Sequence, residues 1–217
     1  SPLEAAMMRF STISSSLQRN NVFKLQHTTT SMIITLSGKA GSGKSTIARQ
    51  LSLKLGLKHY SVGDVMRQMA AERSIPLLEL NKLAEKDQSI DKELDGRLAK
   101  LGETEHDFVI DGRLAAFFIP RADARIFLEA DPRTRAERIL RAQRSDERTE
   151  TFEETLANME RREESERKRY KHYYDVDYTD RKLYTDIVDT TTLPLDRLID
   201  SIIAIVKKRG QKGKKKG

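Results

Sequence analysis

Gly38-Lys39-Ala40-Gly41-Ser42-Gly43-Lys44-Ser45 follows the spacing G-x-x-x-x-G-K-[ST]. Glycines let a backbone wrap an anion with its N–H groups pointing inward, in conformations that a side chain would obstruct. Lys44 adds a mobile positive charge for the β- and γ-phosphates of a nucleotide, and Ser45 adds a hydroxyl ligand for magnesium. The flanks agree. Met32-Ile33-Ile34-Thr35-Leu36 reads as a short buried strand. Thr46 to Leu55 reads as a helix with Ile47, Leu51 and Leu55 on one face and Gly56 just past its end. Strand, loop and helix in that order aim a helix N-terminus at an anion. The candidate ATP-phosphate residues are therefore Gly38, Lys39, Ala40, Gly41, Ser42, Gly43, Lys44, Ser45 and Thr46.

Farther out, Phe108-Val109-Ile110-Asp111-Gly112-Arg113 is an apolar strand that ends in an acid. A phosphate loop needs such a carboxylate nearby to hold a metal-bound water, so Asp111 joins Ser45 as a candidate metal residue, through water. Arg113 follows at the carboxyl end of the strand, where open α/β sheets bind ligands. Leu57 to Val62, Arg125 to Ala130 and Tyr184 to Asp189 read as the remaining strands. Strands alternating with helices predict an α/β chain, a P-loop NTPase three-layer fold with a mostly parallel five-stranded sheet.

Two helical excursions interrupt that frame. Residues 64–101 read as an insertion, broken at Ile75-Pro76, with Leu77, Leu80, Leu83 and Ala84 as an apolar stripe. Asp64 is placed to cap its first helix, and Arg67 lies one turn in. Asp87, Asp91 and Asp95 recur every four residues and share a face. That face is either a solvated acidic surface or an acceptor for a nucleobase amine. After the fourth strand, Asp131-Pro132 opens a helix that carries Arg133, Arg135, Arg138 and Arg141, with Arg144 and Arg148 beyond. Thr151 and Glu154 form a capping box for the next helix. There Arg161, Arg162, Arg167, Lys168 and Arg169 alternate with Glu163, Glu164 and Glu166. Most of these charges read as a salt-bridged solvent face. A minority pointing back at the phosphate loop suits transfer chemistry. Pro194 to Val206 reads as a final amphipathic helix.

The 217 residues suffice for one core domain with insertions. The absence of cysteine excludes a disulfide framework and any cysteine zinc site, and fits a reducing compartment such as the cytoplasm. No apolar run reaches the roughly 20 residues that span a bilayer, so no membrane partner is expected. The net charge of +7 matches the seven bases between Lys207 and Lys216, a stretch with no acid. It reads as a disordered basic tail, and nucleic acid is not an expected partner beyond contacts of that tail. Residues 1–31 show no sustained period. Ser1 to Ala6 read as a tag remnant. From Met8 onward the hydroxyl-rich, acid-free stretch has the composition of an organelle transit peptide and equally of a plain disordered extension.

Four stretches stand in a telling order: Gly38 to Ser45, Ser61-Val62-Gly63-Asp64-Val65-Met66-Arg67, Ile110-Asp111-Gly112-Arg113-Leu114 and Arg162 to Tyr170. With the Asp87/Asp91/Asp95 repeat, they resemble the archaeal-type cytidylate kinases, a branch of the P-loop nucleoside monophosphate kinases, from about Met32 to about Lys207. The resemblance implies a monomeric enzyme that moves the γ-phosphoryl of ATP to CMP or dCMP with Mg²⁺. It implies a core over 32–206, a monophosphate-binding insertion over 61–102 and a helical lid over 141–172. Lys44, Arg113, Arg162 and Arg169 would carry the transfer, and Arg138 would lie near the donor base. Ser61, Asp64, Arg67, Gly112 and Arg113 would hold the acceptor. Asp91 or Asp95, with a cation such as Arg97, would complement cytosine. Adenylate or uridylate kinase, and a nucleic-acid-stimulated ATPase using the tail, are the competing expectations.

Overall fold

The computed structural model describes residues 32–142 and 151–213. The extension 1–31 with its transit-peptide reading, Arg144 and Arg148 within 143–150, and residues 214–217 lie outside the described residues.

β1 (Ile33–Gly38) is buried along its whole length, as a strand covered on both faces must be. β2 (Lys58–Ser61), β3 (Phe108–Asp111), β4 (Ala124–Glu129) and β5 (Asp186–Asp189) join it in the order β2-β3-β1-β4-β5, and every pairing is parallel. The sheet is thus wholly parallel. Its register sets Asp111 beside both Leu36 and Ser61, and Gly38 beside Leu128. The carboxyl ends of the central strands therefore finish along one edge.

The helices are α1 (Lys44–Leu55), α2 (Val62–Glu72), α3 (Leu77–Ala84), α4 (Gln88–Thr104), α5 (Ala115–Phe118), α6 (Pro132–Ala142), α7 (Phe152–Tyr174) and α8 (Leu195–Gly213). Alternate strand residues feed two cores. Ile34, Leu36, Val109, Ile126 and Leu128 pack with Ile47 and Leu51 of α1 and with Leu198 and Ile202 of α8. Ile33, Phe108 and Ile110 face the other way, onto Leu98 of α4 and Ala115 and Ile119 around α5. Each fully buried Leu, Ile or Phe stabilises by about 1.5–3 kcal/mol, so these two layers hold the sheet edge in place. Among the described residues, no helix is long and apolar enough to cross a membrane.

The insertion has its own small core of Met69, Ala70, Leu80, Ala84 and Ile90. Its first helix starts earlier than expected, with Ser61 at the N-cap. Asp64 is consequently not the cap; it lies in the first turn, where its carboxylate meets the helix dipole and pairs with Arg67. Asp87 does cap: its Oδ1 accepts from the Ser89 backbone N–H at 2.8 Å, opening α4. That local duty separates Asp87 from Asp91 and Asp95.

α7 opens with the expected capping box at Thr151 and Glu154 and runs unbroken for 23 residues. Tyr170 and Tyr174 anchor its end on Leu114, Phe127, Tyr178 and Tyr184. α8 continues to Gly213, past the expected end at Val206. Arg209 fastens this extra length, donating to Asp186 Oδ2 at 3.0 Å and to the Thr185 carbonyl at 2.6 Å. Residues 207–213 are therefore helical, not tail.

Gly112 sits where β3 leaves the sheet, and a Cβ there would collide with the Val62 side chain at the start of α2. Gly112→Ala should destabilise the fold by ~1–3 kcal/mol, the usual range for overpacking. Urea titration of the two proteins checks this; an unchanged midpoint would show that Val62 yields freely.

Candidate active site

The phosphate loop is built by close approach. Gly41 has φ 74°, and a Cβ there would stand 2.5 Å from the Arg135 carbonyl oxygen, so only glycine fits. Arg135, at 3 % exposure, props the loop from below. Its guanidinium donates to the carbonyls of Ala40 at 3.3 Å and Ala130 at 3.2 Å and pairs with Glu163 of α7. Lys39 reaches the same Glu163 at 3.3 Å. Lys44 folds over the loop, its Nζ donating to the Gly38 and Lys39 carbonyls, both at 2.8 Å. Burial, reinforced by the positive charge of Arg113, pulls the Lys44 ammonium down to about 7.

Asp111 lies beside the start of α1. Ser45 Oγ donates to its Oδ2 at 2.7 Å, and His59 Nε2 of β2 meets its Oδ1 at 2.7 Å. The carboxylate is buried, and the pairing of β2 with β3 is what brings the histidine to it. Ser61 is buried at the end of β2, in register with Asp111.

Next along the edge come the arginines. Arg113 pairs with Glu166 of α7, and Arg162 Nε donates to Glu166 Oε1 at 2.9 Å. Glu166 holds the Arg113 guanidinium charged against the opposing pull of burial. Arg67 remains exposed beside Asp64.

On the other side of the loop lies a cavity of about 630 Å³, lined by the loop, Arg138, Ile139, Arg141, Thr190, Leu193 and Leu195 among others. Arg138 donates to Thr190 Oγ1 at 2.9 Å and to its carbonyl at 2.5 Å. Thr190 Oγ1 in turn donates to the Ser42 carbonyl at 3.2 Å. Thr46 also lines this cavity.

The Asp pair of α4 faces α7. Asp91 is buried, and Asp95, half-buried, accepts from the Tyr174 hydroxyl. Burial pushes both carboxyls up, Asp95 to about 6, and the neighbouring Asp91 adds to that rise. Arg169 stacks over the Tyr170 ring at 5.3 Å, and its charge draws on Asp91. Asp91 Oδ2, Asp95 Oδ1 and Arg169 Nε are buried without hydrogen-bond partners. Arg97 does not join them. It lies on the opposite side of α4 and binds Glu72 and Glu93, the latter at 2.7 Å.

A family profile described as the cytidylate kinase-like family matches residues 33–192. The chain belongs to the cytidylate kinase-like family. Among its curated relatives, a protein of Halorubrum lacusprofundi named cytidylate kinase is 43 % identical over 81 % of this chain and 89 % of its own length. One of the same name from Methanosphaera stadtmanae is 41 % identical over 82 % of this chain and 96 % of its own length. Among solved structures, a shikimate kinase from Bacteroides thetaiotaomicron superposes with a TM-score of 0.59 at 15 % identity, covering 82 % of this chain and 99 % of that one. At that identity the likeness is one of fold, and it agrees with the P-loop α/β architecture.

Within this cytidylate kinase-like chain, Ser45 meets Asp111 beside Lys44, and Arg113 and Arg162 both reach Glu166. His59 and Thr190 carried no role in the sequence pattern, and Arg135, Glu163 and Glu166 read there only as helix-surface charges. For the two glutamates one signal was present: both lie within one helical turn of Arg162, on the helix taken for a solvent face, yet Glu166 is 8 % exposed.

Asp95 supplies a pH test. Its folded-state pKa is raised, so between the ordinary aspartate range and about 6 the folded chain keeps a proton that the unfolded chain releases. Stability from this group therefore falls as pH rises through that window. Asp95→Asn should raise Tm by ~2–4 °C at about pH 7.5, equivalent to ~1 kcal/mol, and by much less at about pH 4.5. Thermal melts at both pH values check this; an equal gain at both would exclude the titration.

Proposed function

We propose that this chain is an ATP-dependent nucleoside monophosphate kinase that transfers the γ-phosphoryl group to CMP or dCMP. The observation that carries this reading is the meeting of the phosphate loop, Asp111 and the Arg113/Arg162 pair on one sheet edge, in a chain of the cytidylate kinase-like family. The relatives named cytidylate kinase support the choice of acceptor.

Loop N–H groups and the N-terminus of α1 bind the donor phosphates. Lys44 leaves its carbonyl partners for the β- and γ-phosphates, whose charge favours its protonated form. The donor nucleoside occupies the cavity beside Arg138. Ser45 would hold Mg²⁺ directly and Asp111 through water; this all-oxygen pair 2.7 Å apart suits a hard cation that keeps several waters. The ion would neutralise charge between the β- and γ-phosphates. Arg67 and Arg113 take the acceptor phosphate, and Arg162 takes the group in transit. The acceptor is already an anion, so no strong base is required. The task is to bring two polyanions together in a site shielded from water.

Cytosine presents an amine donor beside ring and carbonyl acceptors. Asp91 and Asp95 offer unpaired acceptors, and Arg169 offers an unpaired donor. Arg169, expected from the sequence among the transfer residues, instead takes the base-edge role suggested for Arg97, whose guanidinium is already engaged by Glu72 and Glu93. Uracil would set a carbonyl against the carboxylates.

An ADP-release assay with MgATP against CMP, dCMP, UMP, AMP and GMP tests the reading, with rapid turnover expected for CMP and dCMP. Preference for AMP would overturn the base assignment, and transfer to none would overturn the kinase. Asp91→Asn should cut the ratio of kcat/KM for CMP over UMP by about tenfold or more, as loss of a buried polar partner does. An unchanged ratio would remove Asp91 from the base site.

A further inference from the structure

Glu166 has no part in the transfer chemistry described above, yet it occupies the centre of the arginine cluster. One of its oxygens accepts from Arg162 Nε at 2.9 Å, and the other faces Arg113 Nε in an ion pair. The two arginines belong to different parts of the chain. Arg113 follows β3, whereas Arg162 stands one turn upstream of Glu166 on α7. Both meet Glu166 through Nε, Arg162 in a hydrogen bond and Arg113 in an ion pair without hydrogen-bond geometry. A guanidinium held there can turn Nη groups toward phosphate oxygens, with Tyr178 as a further hydrogen-bond partner of Arg113. Arg113, Arg162 and Glu166 all act electrostatically on Lys44, which places the bridge beside the phosphate loop. The neighbouring acids do other things. Glu163 braces Lys39 and Arg135, and the exposed Glu164 pairs with Arg167 and Lys168.

We propose that Glu166 is a positioning residue for phosphoryl transfer, a bridge that joins α7 to the end of β3 and orients Arg113 and Arg162 toward a shared phosphate. The role rests on the kinase reading for its chemistry, while the bridge itself is a feature of the fold. A carboxylate is suited to it because both of its oxygens only accept. In Glu166→Gln one oxygen becomes an N–H₂ donor that cannot accept from an arginine, and the balancing charge is lost.

The test is kinetic and calorimetric, on the full chain. Glu166→Gln should lower kcat with CMP by about tenfold or more without lowering KM for CMP, the pattern of a group that acts in the transition state. ATP affinity, titrated without acceptor, should stay within about twofold of the parent. In an Arg162→Ala background the same substitution should have a clearly smaller effect, because the two residues act together. Glu164→Gln, on the same helix, should leave kcat and KM unchanged. Three results would overturn the role. The first is kcat and KM within about twofold of the parent. The second is tighter CMP binding with intact kcat, which would make Glu166 a mere competitor of the phosphate. The third is a loss that adds fully to that of Arg162→Ala and tracks a fall in Tm, which would make it scaffold. A parent chain that transfers nothing to CMP would overturn the kinase reading instead, so the two failures are distinguishable.

Discussion

Like-charge repulsion governs the ligand edge of this sheet. Lys44 and Arg113 share one partly dry region, with the largely exposed Arg162 at its rim and Arg169 on the same helix as Arg162. Two unit charges about 4 Å apart at an effective dielectric near 20 interact by roughly 4 kcal/mol, comparable to much of a domain's net stability. The edge is stable because acids are set among the cations: Asp111 beside Ser45, Glu166 between two arginines, Glu163 under the loop. The Lys44 ammonium is pulled down first by burial and then by Arg113, while Asp111 and Glu166 oppose the fall. Such a site favours polyanions because their arrival relieves a strain already present.

The parallel sheet makes that crowding possible. Its register ends β1, β2 and β3 together, so a loop, a serine and an aspartate from distant parts of the chain become neighbours. The helix packed on each face then determines which charged side chains reach the edge. α1 presents its N-terminus there, and α6 sends Arg135 beneath the loop and Arg138 to Thr190.

Where function depends on local order, it was legible in the sequence. The phosphate loop, the strand that ends in Asp111 and the capping box at Thr151 each carry their geometry within a few residues. The misreadings arose where a side chain's role depends on the element packed against it. Asp91, Asp95 and Arg97 share one helix and read in the sequence as one base site, and only the packing shows Arg97 held by Glu72 of α2. Glu166 belongs to a run of mixed charges that reads as a wet surface, and only the packing of α7 near the end of β3 reveals it as buried. His59 gave no signal at all, because its meeting with Asp111 follows from strand order.

α7 has a mechanical consequence. It is one unbroken rod of 23 residues, with Arg162 and Glu166 along its middle and Arg169 and Tyr174 at its far end. A helix of that kind behaves as a ruler, rising about 1.5 Å per residue with no joint to absorb error. A push on its Tyr174 end would tilt the ruler, and the tilt would reach the guanidiniums along its length.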